Sequence, residues 1–195
     1  MTRLPLALGL AAFVALPSLA LPDLAAAQGP EAIQTYREPA EGTDVTIGAA
    51  TGLVQASADD VVAVLSAYAN YVEFLPSFRA SRVLGRRGNR ANVYVEATIL
   101  HDTMTLWAQV VLRVSDGERP GQKIIEATMT RGNVDTFIVR WEVQPVDANN
   151  ALATFKLLVD PDLPVPSSLV SSENERWARA TLGRLRTRVS AVAAS

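Results

Sequence analysis

The chain has 195 residues, of which 49% are hydrophobic and 19% charged, which provides enough apolar material for the core of one domain. Its formal net charge of −2 supplies no large positive field to attract nucleic acid, so we expect no nucleic-acid partner. The chain contains no cysteine, which excludes disulfides, thiolate chemistry and zinc–thiolate sites.

Residues 1–27 have the organisation of a secretory signal peptide. Arg3 supplies a short positive segment, residues 4–21 are apolar and uncharged, and Ala25-Ala26-Ala27 places small residues before Gln28. We therefore expect cleavage after Ala27, with Ser18-Leu19-Ala20 as a second possible site, and an exported, periplasmic or secreted, mature protein.

An uncleaved membrane anchor is the alternative interpretation of this segment. The apolar run is nearly long enough to cross a bilayer. However, Pro5 and Pro17 would interrupt a spanning helix, so cleavage is the favoured interpretation.

The mature chain is expected to begin with an extended leader over residues 28–43, which holds two prolines, two glycines and mixed charges without a period. Residues 44–195 are expected to form a single domain. Its first predicted elements are a strand over 45–55, a helix over 58–67 that begins with a Ser57–Asp60 capping box, and a short helix that Asn70 caps and Pro76 ends.

The following residues alternate between apolar and polar side chains, which is typical of strands with one buried face. The side chains predicted to point inward are Val93, Val95, Ala97 and Ile99, then Met104, Leu106, Ala108, Val110 and Leu112, then Phe137, Val139, Trp141 and Val143. Trp107 falls on the outer face. Short turns between these segments predict an antiparallel meander of six strands, and a sheet of seven with the first strand.

A long amphipathic helix is predicted over residues 171–192. At about 100° per residue its apolar side chains fall within one arc, outside which its arginines lie. The members of the arc are Ala178, Leu182, Leu185, Val189 and Val192. A helix with one apolar stripe has to lie on the sheet.

Two segments carry a resemblance to a known family. Residues 61–71 (VVAVLSAYANY), followed by Phe74-Leu75-Pro76 and Ser81-Arg82-Val83-Leu84, resemble the signature of START-like domains, the SRPBCC superfamily, which includes polyketide cyclase/dehydrase and coenzyme-Q-binding members. Val159-Asp160-Pro161 with Leu163-Pro164 resembles the stretch before their last helix. The resemblance covers about residues 44–192, and Ala67-Tyr68-Ala69 departs from it where many members carry an Asp.

The resemblance implies an α+β helix-grip fold. In this fold a seven-stranded curved antiparallel sheet wraps around a long C-terminal helix, and two short helices follow strand 1. It further implies an internal cavity for a lipid, isoprenoid, sterol or polyketide, but it implies no reaction.

Candidate catalytic groups are few. His101 is the single histidine, and with Asp102 it forms either a proton relay at the cavity mouth or a polar hairpin turn; the turn is favoured. No nucleotide-binding, metalloprotease or hydrolase motif is present. We therefore assign no catalytic residue, no metal site and no cofactor.

Arginines cluster at the predicted hairpin tip formed by Arg86, Arg87 and Arg90, and along the last helix. They either make transient contact with an anionic membrane surface or form a solvated face, and the solvated face is favoured. We expect a monomer.

These observations predict an exported binding or carrier protein for a hydrophobic small molecule. The residues predicted to line its cavity are Val93, Val95, Leu106, Val110, Phe137, Trp141, Phe155 and Leu157 on the sheet, closed by Leu182, Leu185 and Val189 on the helix. A polyketide cyclase or aromatase is one alternative, although the inferred inward faces are almost purely apolar. A protein-interaction module whose cavity has collapsed is the other.

Overall fold

The computed structural model describes residues 32–75, 77–99, 104–161 and 164–193, apart from the side chain of Ile99. The described strands are β1 (Gln34–Glu38), β2 (Ile47–Val54), β3 (Phe78–Arg87), β4 (Arg90–Ile99), β5 (Met104–Asp116), β6 (Lys123–Gly132), β7 (Thr136–Asp147) and β8 (Asn150–Asp160). The helices are α1 (Ala58–Ser66), α2 (Tyr71–Phe74), which directly follows a 3₁₀ turn over Tyr68–Asn70, and α3 (Ser167–Ala193). No helix among these residues is long and apolar enough to cross a membrane.

The described strands form one antiparallel sheet in the order β1-β2-β8-β7-β6-β5-β4-β3. Strands β3 to β8 follow one another as the predicted six-strand meander. Strand β2 pairs with β8, so the first and last strands of the predicted sheet are neighbours. The helix-grip fold expected from the sequence is therefore confirmed.

The predicted count of seven strands is one too low, because part of the predicted leader forms β1 on the edge of the sheet. This strand has no apolar alternation that would reveal it. It is held by contacts with distant residues: Arg37 donates to Glu175 at 2.6 Å and Lys156 donates to Glu38 at 2.8 Å. The ion pair with Arg37 also lowers the pKa of Glu175.

Side-chain alternation correctly predicted the inner face of the sheet. The predicted inward residues that are buried are Val93, Val95, Ala97, Leu106, Ala108, Val110, Leu112, Trp141 and Val143. Phe137, Val139 and Met104 are half-buried, and Trp107 stacks on Tyr94 on the outer face. A strand period of two therefore identified the face that contacts the helices.

The helix boundaries differ little from the prediction. Ser57 caps α1 as expected, since its hydroxyl accepts from the Asp60 amide at 3.1 Å. Asn70 precedes α2 but makes no capping hydrogen bond with its side chain. In α3 the predicted apolar arc is buried except for Val192, which is 49% exposed because the last turn of the helix lacks cover from the sheet.

Helix α3 lies very close to β2 at Gly48. A Cβ atom at this position would lie 2.2 Å from both the carbonyl carbon of Asn174 and the amide nitrogen of Glu175. These are helix backbone atoms, which cannot rotate away as a side chain could. The absence of a side chain at Gly48 therefore sets the distance between helix and sheet.

The same contact is reinforced by a buried polar network. The Asn174 side chain donates to the carbonyls of Thr46 and Val159 and accepts from the Val159 amide, each at 3.3 Å. The Ser171 hydroxyl accepts from the Thr46 amide at 2.9 Å. Both side chains are buried, so one turn of α3 satisfies backbone groups of β8 and of the segment that leads into β2.

We predict that Gly48→Ala lowers the free energy of unfolding by at least about 3 kcal/mol, because helix and sheet would have to separate to admit the methyl group. Gly85→Ala in β3 is the matched control, since a Cβ there meets nothing within 4 Å. Denaturant unfolding of both variants tests this. Equal stability of the two variants would contradict the close contact.

Candidate ligand-binding cavity

An apolar cavity of about 70 Å³ lies between the inner face of the sheet, α3 and the segment that contains α1 and α2. The described residues that line it are Leu65, Tyr71, Phe74, Leu75, Phe78, Val95, Ala97, Leu106, Leu112, Phe137, Val139, Trp141, Phe155, Leu157, Trp177 and Thr181. The sheet forms one wall, and the two short helices close one end.

Six of the residues predicted to line a cavity do so: Val95, Leu106, Phe137, Trp141, Phe155 and Leu157. The structure places the other five, Val93, Val110, Leu182, Leu185 and Val189, in the packed core beside the cavity. Alternation identifies the face on which a residue lies but not what covers it. The second half of α3 packs directly on its neighbours, so the helix residues chosen from the sequence fill space rather than border it.

Ten lining residues were not assigned to the cavity from the sequence, and half of them lie on helices: Leu65, Tyr71, Phe74, Trp177 and Thr181. Tyr71, Phe74 and Phe78 form an aromatic cluster in which ring centroids are 5.7 Å apart and the rings meet edge to face. The spacing of three residues between Tyr71 and Phe74 was a usable helical signal, whereas Phe78 lies on β3. On α3, Trp177 and Thr181 are one turn apart, and each directly precedes a member of the apolar arc without belonging to it, so the arc alone did not reveal them.

The described lining carries no charged side chain. The Tyr71 hydroxyl is engaged, since it donates to the Leu65 carbonyl at 2.6 Å. Burial raises the pKa of Tyr71 far above its usual range, so this phenol stays neutral. Among the lining residues, hydrogen-bonding side-chain groups come from Tyr71, Thr181 and the two indoles. Such a surface can bind an apolar ligand, and at most a few polar contacts can fix the orientation of that ligand.

Aromatic side chains dominate the wall and its rim. Trp141 and Phe155 lie on adjacent strands with ring centroids 4.3 Å apart. Phe74, Phe78 and Trp177 are only half-buried, so part of each ring reaches the surface. We call Phe74, Phe78, Phe137 and Trp177 the aromatic rim.

One ion pair connects the rim to α3. Arg188 donates to Glu73 at 2.5 Å, and its guanidinium lies 5.9 Å from the centre of the Phe74 ring. Arg188 therefore holds α2 against the second half of α3.

An outer groove of about 520 Å³ lies where β6 and β7 diverge. Their pairing ends at Thr128 and Ile138, beyond which β6 pairs only with β5 and β7 only with β8. Phe137 and Val139 line both this groove and the cavity. At this divergence, Phe137 and Val139 therefore lie between the cavity and the surface groove.

The other candidate groups from the sequence are not among the described residues of the cavity lining. His101 and Asp102 lie outside the described residues. Within the described ranges, no three His, Asp or Glu side chains are close enough to hold a metal ion. Arg86 of the hairpin tip is engaged by the fold, because it donates to the Ser66 carbonyl at 2.9 Å and lies 5.1 Å from the Tyr68 ring centre.

Solved structures share this fold at low sequence identity. A STAR-related lipid transfer protein from Xanthomonas axonopodis is similar with a TM-score of 0.70 and 19% identity, over 80% of this chain and 93% of that one. Human StAR-related lipid transfer protein 5 gives a TM-score of 0.68 and 9% identity, over 82% and 83% of the two chains. Zhui aromatase/cyclase from Streptomyces sp. R1128 gives a TM-score of 0.57 and 14% identity, over 82% and 94%.

Comparison with curated protein sequences gave no match. The family model for polyketide cyclase / dehydrase and lipid transport matches residues 54–186, from the end of β2 into the second half of α3. Because this match spans more than half of the chain, the protein belongs to the polyketide cyclase / dehydrase and lipid transport family of START-like domains.

Proposed function

We propose that the protein is an exported carrier that binds a lipid, isoprenoid or sterol-like molecule in the cavity beneath α3. The observation that carries this proposal is a described lining of apolar and aromatic side chains without a single charge. Each Å² of apolar ligand surface buried there would contribute about 25 cal/mol. The proposal also agrees with the fold's occurrence in the two lipid transfer proteins named above.

The ligand has to enlarge the cavity. Ligand pockets usually measure about 300–1,000 Å³, whereas this cavity measures about 70 Å³. The rings of the aromatic rim are half-buried, so these parts of the wall can move outward toward the solvent. We therefore propose that ligand binding displaces rim side chains outward while the strands stay paired.

Phe137 is the side chain best placed to open. It lines the cavity from within and the outer groove from outside, and β6 does not pair with β7 at this level. We propose that the ligand passes between β6 and β7 as the Phe137 ring rotates.

A cyclase is less well supported. It would need ionisable groups inside the cavity to move protons, and the described lining offers none. The likeness to an aromatase/cyclase at 14% identity concerns the fold alone. The small cavity volume instead favours, as second candidate, a protein-interaction module that holds no ligand.

Export is proposed from residues 1–27 of the sequence. We predict that N-terminal sequencing of protein recovered from the periplasm or medium begins at Gln28. Recovery of the intact chain from Met1 in the cytoplasmic fraction would contradict export.

Tryptophan quenching can test ligand binding directly, because Trp141 and Trp177 line the cavity and Trp107 lies on the outer face. We predict that a brominated fatty acid quenches the fluorescence of Trp107→Phe, in which only the cavity tryptophans remain. The variant that retains only Trp107 is the matched control and should stay bright. Unbrominated fatty acid, an isoprenoid alcohol and a sterol are then added as competitors. The extent to which each one relieves the quenching ranks the three ligand classes. Absence of quenching and of binding by all three classes would favour the interaction module.

A bulky substitution can distinguish a residue of the cavity wall from a residue of the packed core. Leu106 and Val110 share one face of β5 and are equally buried, but only Leu106 lines the cavity. We predict that Val110→Trp lowers the free energy of unfolding by about 1–3 kcal/mol through overpacking. Leu106→Trp should cost less stability and abolish ligand binding, because the indole occupies the ligand's space. Equal losses of stability in thermal unfolding, with binding kept by Leu106→Trp, would contradict the assignment.

A further inference from the structure

Three arginines lie side by side across three adjacent strands on the outer face of the sheet. Arg87 at the end of β3 is directly opposite Arg90 at the start of β4, and Arg90 is directly opposite Arg113 of β5. All three side chains are exposed. We call these residues the arginine row. It belongs to a protein whose net charge is −2, so it is a local feature and not part of a generally basic surface.

Such a row is unfavourable for folding. Directly opposite residues on one face have Cβ atoms about 4.5–5.5 Å apart, and like charges at that distance destabilise the strand pair. Arg90 is repelled from both sides. The register that places these three cations side by side therefore costs the fold stability.

No described side chain forms an ion pair that would neutralise the positive charges of the arginine row. None of its three guanidinium groups makes a hydrogen bond or ion pair within the described residues. The nearest carboxylate in register is Glu126, opposite Arg113, but Glu126 is bound by Arg140. Arg86, next along β3, shows the contrast, because it points to the other face and contacts Ser66 and Tyr68.

We propose that the arginine row docks the protein on an anionic lipid bilayer. The row lies beside the Gly88-Asn89 turn on the exposed outer face of three paired strands, so it offers an open face rather than a cleft. An open row of cations can meet a planar charged surface along its length, whereas a single phosphate or a threaded polymer would need converging donors. Each arginine held near an anionic membrane contributes favourable electrostatic free energy.

The row lies at the opposite end of the sheet from the aromatic rim. Strand β3 runs from Phe78 in the rim to Arg87 in the row, nine residues apart, which at about 3.3 Å per residue is about 30 Å. Docking through the row would therefore leave the rim facing away from that membrane. Because the two surfaces are separate, vesicle binding and ligand binding can succeed or fail independently.

Vesicle co-sedimentation at low salt tests the proposal with the mature protein, residues 28–195. We expect the wild type to bind vesicles of equal parts phosphatidylglycerol and phosphatidylcholine but not vesicles of phosphatidylcholine alone. Each arginine should contribute about fivefold, so Arg87→Gln/Arg90→Gln/Arg113→Gln should bind about 100-fold more weakly. High salt should abolish binding through screening.

The control is Arg131→Gln/Arg179→Gln/Arg184→Gln, which removes the same charge from exposed arginines elsewhere. It should bind like the wild type. Equal losses in both triple variants would show an effect of net charge only and overturn the proposal. Failure of the wild type to bind anionic vesicles would overturn it too, as would binding to duplex DNA or heparin in preference to them.

Stability gives a second readout. Arg90→Gln removes the central charge, so we expect the melting temperature at low salt to rise by about 1–3 °C, with the gain lost in high salt. A lower melting temperature would show that the fold itself holds Arg90, and would overturn the view that the row serves an external anion.

Discussion

The close contact between α3 and β2 at Gly48 is the constraint on which the rest of the structure depends. Because Gly48 has no side chain, the backbone of Asn174 and Glu175 can lie against the strand, and Asn174 then bonds to Thr46 and Val159. This fixes the first half of the helix on one side of the sheet. Strands β3 to β7 lie farther from the helix than β2 and β8 do, and the space between them and the helix is closed by aromatic side chains of α2 and the strands. The cavity thus follows from where the helix is held.

Local sequence patterns were sufficient to predict most of the fold, but they predicted only part of the cavity lining. A period of two identified the inner face of the meander, and helical spacing identified the stripe of α3, because both depend on neighbours in the chain. Strand β1 could not be predicted, because Arg37 and Glu38 are held by residues more than a hundred positions away. Val110 and Leu106 have the same pattern, and only the position of α3 and α2 decides which of them borders a cavity. The arginine row likewise required the hairpin register that brings Arg113 beside Arg90.

The two ends of the sheet differ in chemistry in a way that suits a carrier. One end has half-buried aromatic rings over an apolar cavity, and the other has exposed, mutually repelling cations. The rings are unfavourable in water unless something apolar covers them, and the cations are unfavourable beside one another unless an anion lies near. Both features cost free energy in the isolated protein, and a hydrophobic ligand and an anionic surface would each relieve one of them.

Native mass spectrometry of the protein purified from its own cells tests the central claim, a hydrophobic ligand held beneath α3, most directly. The account predicts that the wild type carries a non-covalent adduct that organic extraction recovers as a lipid, isoprenoid or sterol-like molecule. It further predicts that Leu106→Trp, folded and prepared in the same way, carries none. A wild type that appears only at its bare polypeptide mass, or an adduct equally abundant in Leu106→Trp, would contradict it.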